Sequence, residues 1–186
     1  MNWLTRTLNS TIGQKVMVGL TGLGLVLFMI THIGGNLLMY AGDDGASFNA
    51  YSDGLHSLGV LLYVAEVGLL ATLLLHIAFI VRLSRRNAVA GGGGRYAVSA
   101  SKTDGGSKNK ASKTMAISGS IVLAFLFVHI WDFRLQYPPP EGQTLFDMVV
   151  VALQEPWRVA LYVTGSLLIA WHVLHGFQSA FRSLGL

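Results

Sequence analysis

No cysteine occurs in this chain of 186 residues. Disulfide bonds, cysteine-ligated zinc and iron–sulfur clusters held by this chain are therefore excluded, and a redox metal would need histidine or methionine ligands. Charged residues are also scarce, at 12% of the sequence, which is about half of their share in a typical soluble domain. Proline is limited to four residues, so few positions interrupt a helix.

Apolar residues, by contrast, make up 52% of the chain and give it a mean hydropathy of +0.54. They are concentrated in four runs, each long enough to cross a hydrocarbon core of ~30 Å at ~1.5 Å per residue. We predict four transmembrane helices, at about 16–40, 58–83, 115–135 and 159–181. The expected fold class is an all-α membrane protein, with residues 1–186 forming one membrane domain built as a four-helix bundle.

The connections between the spans differ in character. Residues 41–57 are polar and are predicted as a loop, while residues 84–114 are rich in glycine, serine and lysine and are predicted as a flexible linker. The prolines at 138–140 end the third helix, and residues 146–153 are predicted as a short amphipathic helix at the membrane surface. The polar N-terminal segment has no cleavage site after the first apolar run, so we expect the first span to be retained.

Loop charge predicts the orientation of the chain, because positively charged loops stay in the cytoplasm. Eleven of the thirteen lysines and arginines lie before the first span, in or beside the linker, or after the fourth span: Arg6, Lys15, Arg82, Arg85, Arg86, Arg95, Lys102, Lys108, Lys110, Lys113 and Arg182. The other two loops carry mainly acids: Asp43, Asp44, Asp53, Glu141, Asp147 and Glu155. Both ends and the linker are therefore predicted to be cytoplasmic. The net charge of +4 reflects this topology, and no nucleic-acid partner is predicted.

Five of the six histidines lie inside the spans: His32, His76, His129, His172 and His175. An imidazole in hydrocarbon is costly and marks a functional candidate. In the predicted orientation, His32 and His129 share a level about 9–12 Å below the outer surface, at ~1.5 Å per residue. His76 lies near the inner end of span two, and His172 and His175 lie near the inner end of span four. The spans thus offer one histidine pair near the outside and another nearer the cytoplasm.

Two histidine pairs at two depths suit two stacked b haems, each held by one imidazole from either side. Zinc is less compatible with these positions, because no carboxylate or thiolate converges with the histidines at either depth. Met29 and Met39 are more typical of apolar packing than of metal ligands. The alternative without haem is a polytopic transporter or scaffold whose histidines bridge helices by hydrogen bonds.

Glu66 is a further candidate inside a span, at roughly 13–15 Å below the outer surface. We predict that it lines a proton route near the outer haem, or the quinone route that the family resemblance described below implies, and a protonated glutamate bonded to a neighbouring helix is the alternative. Other polar side chains near the span ends are candidates for contacts to haem propionates or quinone: Gln14, Lys15, Arg82 and Arg134. Ordinary anchoring at the membrane surface explains them equally well. Asp132 is a minor candidate for the cap of an outer quinone site.

Five segments of the chain carry a family resemblance: residues 8–15 (LNSTIGQK), 31–37 (THIGGNL), 48–51 (FNAY), 64–68 (VAEVG) and 172–181 (HVLHGFQSAF). In this order they resemble the cytochrome b subunit of succinate dehydrogenases and fumarate reductases, of the type with one membrane subunit and two haems. The similarity covers most of the chain outside the linker.

The resemblance implies a membrane anchor for a flavoprotein subunit and an iron–sulfur subunit, at the cytoplasmic face of the bacterial inner membrane. Electrons would pass between succinate and a quinone, expected to be menaquinone, through the two haems, while the dicarboxylate chemistry belongs to another subunit. In this family the first helix pairs with the third and the second with the fourth. That implies His32 with His129 for the outer haem and His76 with His172 for the inner one. The dihaem quinol-oxidising subunit of another respiratory enzyme is the redox alternative.

The fourth span is where the resemblance and the depth argument differ. The family's ligand precedes a glycine by four residues, which selects His172 through Gly176, whereas depth favours His175 because it lies closer to the level of His76. We follow the motif. The family also has a fifth helix, expected after residues 183–186, and some members carry a glutamate where this chain has Ala170. We therefore do not predict a proton path through that position.

Overall fold

The computed structural model describes residues 2–90 and 107–185. Within these residues every regular element is helical, and no β-strand is present. The α-helices, in chain order, are α1 (Trp3–Asn9), α2 (Thr11–Leu37), α3 (Ala46–His56), α4 (Val60–Ala90), α5 (Ser107–His129), α6 (Leu145–Ala152) and α7 (Pro156–Leu184). A 3₁₀ turn, Leu38–Tyr40, extends α2, and a π-helical segment, Ile130–Arg134, extends α5.

Four helical segments are long and apolar enough to cross a membrane: Thr11–Tyr40, Val60–Arg86, Met115–Arg134 and Pro156–Leu184. Their bounds agree with the predicted spans to within a few residues at each end. Most of their large apolar side chains are exposed in the isolated chain, as expected where lipid is the neighbour. The predicted fold class, an all-α membrane protein with four spans, is confirmed.

Helices α2 and α7 form the middle of the bundle. Helix α2 packs against both α4 and α7, and α7 packs also against α5. Small residues allow the central contact, since a Cβ atom built at Gly19 would lie 3.6 Å from the Cα atom of Ala180. Gly165 of α7 similarly leaves the space in which the ring of Phe125 lies. Close approach at small residues is how membrane helices gain packing energy.

The short helices α3 and α6 pack together at one end of the bundle. Asn49 of α3 accepts a hydrogen bond from the backbone N–H of Phe146 at 3.0 Å. The ring of Phe146 lies directly on Gly45, the residue before α3, which adopts a φ of +85°. A side chain at this position would meet both the ring and an unfavourable backbone conformation. We call this end the outer end, following the predicted orientation.

The prediction of a loop over residues 41–57 was wrong, because α3 occupies Ala46–His56. Gly45 permits the turn that starts the helix, and the Asp43 carboxylate accepts a hydrogen bond from the N–H of Ser47 at 3.0 Å. Phe48 and Ser52, one helical turn apart, are the buried residues of α3. Two buried positions in a polar segment leave too little periodicity to recognise a helix from sequence.

The other connections differ less from the prediction. Helix α6, at Leu145–Ala152, agrees with the amphipathic helix predicted one residue further along. Helix α4 continues to Ala90 and α5 begins at Ser107, so both ends of the predicted flexible linker are helical. The remainder of that linker, residues 91–106, lies outside the described residues.

Candidate functional site

The outer histidine pair consists of His32 on α2 and His129 on α5. Their ring centres are 5.6 Å apart and the ring planes are nearly perpendicular, at 89°. Each ring stacks on a phenylalanine one turn earlier in its own helix, Phe28 at 5.4 Å and Phe125 at 6.0 Å. These are the two histidines that the depth argument assigned to one level.

The distance between the outer ring centres is similar to that of two imidazoles on one metal ion, and in this structure the two rings meet edge to face. Two imidazole–metal bonds of about 2 Å each would bring the ring centres to roughly 6 Å apart. The Nδ1 atom of His129 is buried without a hydrogen-bond partner among the described residues. His32 instead places Nε2 at 3.3 Å from the side-chain amide of Asn36. A buried ring nitrogen without a partner costs about 1–3 kcal/mol, so a ligand at the outer pair would be stabilising.

The inner histidine pair consists of His76 on α4 and His172 on α7. Each is bonded by a hydroxyl from a different helix. Thr21 of α2 lies with Oγ1 at 3.0 Å from Nδ1 of His76. Ser118 of α5 lies with Oγ at 3.0 Å from Nδ1 of His172. Two helix pairs therefore repeat one arrangement: α2 with α4, and α5 with α7.

The hydroxyl protons indicate which ring nitrogen carries hydrogen. Thr21 donates its proton to the carbonyl of Met17 at 2.7 Å, and Ser118 donates to the carbonyl of Met115 at 3.2 Å. A hydroxyl has one proton, so with that proton on the carbonyl the hydroxyl oxygen is an acceptor for an N–H at Nδ1 of its histidine. In that tautomer the lone pair of each imidazole is on Nε2, one of the two ring nitrogens through which histidine binds metals.

A glycine follows each hydroxyl residue and makes room for the ring. A Cβ atom built at Gly22 would lie 3.2 Å from Cε1 of His76. One built at Gly119 would lie 3.1 Å from Cε1 of His172. Both distances are shorter than ordinary van der Waals contacts, so a larger residue at either position would push the ring away. Each glycine therefore allows an imidazole to lie against the facing helix.

Helices α2 and α5 thus share a spaced motif of hydroxyl, glycine, phenylalanine and histidine. His32 follows Thr21, and His129 follows Ser118, by the same eleven positions. At ~1.5 Å per residue, eleven positions separate the inner level from the outer level by about 16 Å. Sequence analysis missed Thr21 and Ser118 as site residues, although this internal repeat was the signal that marks them.

The two histidines of α7 have different surroundings. His172 faces α5, where it meets Ser118 and Gly119. His175 turns back on its own helix, with Nδ1 at 3.1 Å from the carbonyl of Trp171 and its ring 4.5 Å from the indole. The interhelical position therefore belongs to His172, and depth does not indicate this because it ignores which way a side chain faces.

Glu66 has a charged partner in the structure. Its carboxylate accepts two hydrogen bonds from the guanidinium of Arg134, at 2.7 and 3.0 Å. This ion pair joins α4 to the end of the third span. A bond from Glu66 to a neighbouring helix was the predicted alternative, whereas Arg134 was not predicted as its partner. Glu66 also lines a mostly apolar groove of about 340 Å³ between α2 and α4, beside Phe28.

The π-helical segment after His129 directs two charged side chains to different helices. Asp132 is buried, accepts a hydrogen bond from the Tyr162 hydroxyl at 3.0 Å and lies 3.5 Å from the guanidinium of Arg158. Arg134, two residues later, reaches α4 instead. Tightened or widened turns of this kind are frequent at functional sites. Asp132 is engaged with α7, which does not favour the predicted role as a quinone cap.

The remaining predicted contacts lie at the inner end. Gln14 is almost fully buried, with 1% of its surface exposed, and its carbonyl oxygen has no hydrogen-bond partner among the described residues. Lys15 and Arg82 are exposed, and the Arg82 guanidinium lies 6.0 Å from the centre of the Phe79 ring. Gln14 is thus the one of these three that a buried ligand at the inner end would meet.

The histidines are brought together in twos rather than in larger donor groups. No group of three or more histidine, cysteine or carboxylate side chains that would hold a metal is found in the described part of the chain. A bis-histidine haem needs only two protein ligands, because the porphyrin supplies the rest. Comparisons with protein-family models, curated proteins and solved structures found no match for this chain.

Proposed function

We propose that this protein is the membrane-anchor cytochrome b subunit of a succinate:quinone oxidoreductase, respiratory complex II. Its partners would be a flavoprotein subunit and an iron–sulfur subunit at the cytoplasmic face, together with a quinone, expected to be menaquinone, in the membrane. Two b haems, when bound, would supply one-electron transfer between the iron–sulfur subunit and the quinone. The dicarboxylate chemistry would belong to the flavoprotein subunit.

One observation carries the proposal: histidines on four different spans form two sets at levels about 16 Å apart. The outer rings are in contact at 5.6 Å, and both inner rings have Nδ1 occupied by a hydroxyl oxygen at 3.0 Å. Histidines that merely bridge helices would need no such agreement between two helix pairs. The family assignment itself comes from the sequence resemblance.

The chain's own residues would hold and shield the haems. His32 and His129 would ligate the outer iron, and His76 and His172 the inner one. Gly22 and Gly119 leave the space for the inner imidazoles. The apolar side chains around them exclude water, which keeps the haems in a low-dielectric environment and influences their potentials.

We further propose that Glu66 contacts the quinone at the outer level. The groove beside it is mostly apolar, which suits an isoprenoid quinone, and the carboxylate with its Arg134 partner is the polar group available to a ring oxygen. Glu66→Gln should impair quinone reduction while both haems are retained. Thr72→Val is the matched control, since Thr72 lines the same groove and bonds only the carbonyl of Gly68. Equal quinone reduction in both variants would remove this role.

Co-purification tests the family assignment. The full chain, expressed with its genomic neighbours and extracted gently, should carry a flavoprotein and an iron–sulfur protein, and succinate should reduce its b-type absorbance. A dihaem spectrum without succinate-dependent reduction, together with a different partner, would favour the subunit of another respiratory enzyme. Absence of any b-type spectrum would favour a haem-free protein.

A further inference from the structure

We propose that Thr21 and Ser118 are positioning residues that hold the two inner imidazoles in the tautomer protonated at Nδ1, and so keep their Nε2 lone pairs free for iron. The inference rests on the proposed function for the identity of the iron. We call Thr21 and Ser118 the hydroxyl pair.

The geometry of the hydroxyl pair is the same on both sides. Each oxygen lies 3.0 Å from an Nδ1 atom, and each residue is buried, with 8% of Thr21 and 5% of Ser118 exposed. Each hydroxyl proton already goes to a backbone carbonyl one turn earlier in its own helix. With its proton on that carbonyl, the hydroxyl oxygen is the acceptor toward its histidine.

Burial makes this choice of tautomer strong. Inside a membrane span water does not compete, and a ring N–H without an acceptor would lose its hydrogen-bond energy. In the other tautomer, with the ring proton on Nε2, the hydroxyl would have to turn its own proton from the backbone carbonyl to Nδ1 and would give up the hydrogen bond within its helix. Each ring is thus held with Nε2 deprotonated before a metal arrives.

The outer pair has no equivalent. His32 is bonded through the side-chain amide of Asn36 on its own helix, and Nδ1 of His129 is without a partner in the described structure. The hydroxyl pair therefore distinguishes the two sites chemically. An acceptor at Nδ1–H increases the electron donation of an imidazole to its metal, which favours oxidised iron. Removal of the acceptor should raise the midpoint potential of the inner haem alone.

The test compares Thr21→Val and Ser118→Ala with Thr31→Val and Ser120→Ala. Among the described residues, the control hydroxyls bond only backbone carbonyls of their own helices, at Phe28 and Ala116. In the purified full chain, each test variant should raise the reduced-to-oxidised ratio of the inner haem by about threefold to tenfold at a fixed potential. This corresponds to a rise of about 30–60 mV in its midpoint potential for a one-electron couple. Haem affinity should fall about tenfold, as for other residues that orient a ligand. Thr21→Ser keeps a hydroxyl and should therefore keep the midpoint potential and the haem affinity of the wild-type chain.

A second measurement separates this inference from the proposed function. Nitrogen-15 NMR of histidine-labelled, haem-free protein in nanodiscs should show that both inner rings are protonated at Nδ1. In each test variant, only one of the two inner rings should remain protonated there. Unchanged NMR spectra, or unchanged potentials in haem-loaded test variants, would overturn the role of the hydroxyl pair. A wild-type chain that takes up no haem would overturn the proposed function, while the NMR result would still decide the tautomer.

Discussion

A histidine inside a membrane span needs a partner for each ring nitrogen, and the chain meets this need differently at its two levels. The inner rings have hydroxyl partners on another helix. At the outer level, the Nδ1 atom of His129 is left without one in the described residues. A ligand that bonds Nδ1 of His129 would remove the cost of that buried, unpartnered nitrogen, about 1–3 kcal/mol.

The glycines beside the inner rings give a prediction at this scale. A Cβ atom at position 119 would lie 3.1 Å from Cε1 of His172, so Gly119→Val would push a branched side chain against that ring. We expect the ring to be displaced and the inner haem to be lost, while the outer haem remains. Gly68→Val is the control, because a Cβ atom at Gly68 meets nothing within 4 Å. Haem content per chain measures the difference, and full retention of both haems in Gly119→Val would contradict the predicted contact.

Sequence predicted the histidines but not their partners, and the reason is physical. An imidazole is conspicuous in an apolar run, whereas Thr21 and Ser118 resemble many small hydroxyl residues that bond their own helix backbone. Only the facing helix gives them a second role. The same applies to Glu66, which was recognised as costly in a span although Arg134 was not recognised as its partner.

At the scale of elements, the spans were predictable because length and hydropathy define them, and the apolar run of α6 was recognisable as well, whereas α3 and the π-helical segment were not. Helix α3 depends on Gly45 and on two buried positions, and the π-helical segment Ile130–Arg134 depends on packing with α4 and α7. Such features are fixed by contacts between elements. Local sequence carries little trace of them.

The N-terminus of α6 gives a pH-dependent prediction. The backbone N–H of Thr144, and then its hydroxyl, hydrogen-bond the Asp147 carboxylate and lower the pKa of Asp147 below its ordinary range. Because the pKa of Asp147 is lower in the folded state, its carboxylate stabilises α6 fully above the unfolded-state pKa of about 3.9. This stabilisation is lost as the pH falls through the folded-state pKa.

Amide hydrogen exchange of α6, corrected for its intrinsic pH dependence, measures this effect. Protection should be constant between about pH 7 and 5 and should decrease below about pH 4. Thr144→Ala, which removes the hydroxyl bond at 2.7 Å, should reduce the protection at neutral pH and flatten the profile. Protection that increases on acidification would show that the sign is wrong.

In the whole molecule the four long helices pack in the order α4, α2, α7, α5. The first and last of these, α4 and the third span, are joined by side chains at the outer end. The Glu66–Arg134 ion pair spans this gap, while Gly19 and Ala180 bring the central helices together. The arrangement keeps the histidines of four helices near the middle of the bundle. Stability of the isolated chain is expected to depend strongly on bound ligand, since any ligand that binds only the folded state stabilises it.

Orientation is the second prediction for the whole molecule, and the absence of cysteine makes it simple to measure. Gln143→Cys, in the outer loop, should react with a membrane-impermeant maleimide in intact cells. Thr5→Cys, in α1, should react only after the membrane is permeabilised. Both residues are exposed, and each cysteine would be unique in the chain. The reverse pattern would contradict the orientation predicted from loop charge.

The proposal that His32, His129, His76 and His172 hold two b haems is tested by the haem content of the purified full chain and of its histidine variants. Wild-type protein expressed with haem supplied should contain two b haems per chain. His32→Ala or His129→Ala should lose one haem, His76→Ala or His172→Ala should lose the other, and His175→Ala should keep both. A wild-type chain without a b-type absorption band, or a His172→Ala chain that retains both haems, would contradict the account.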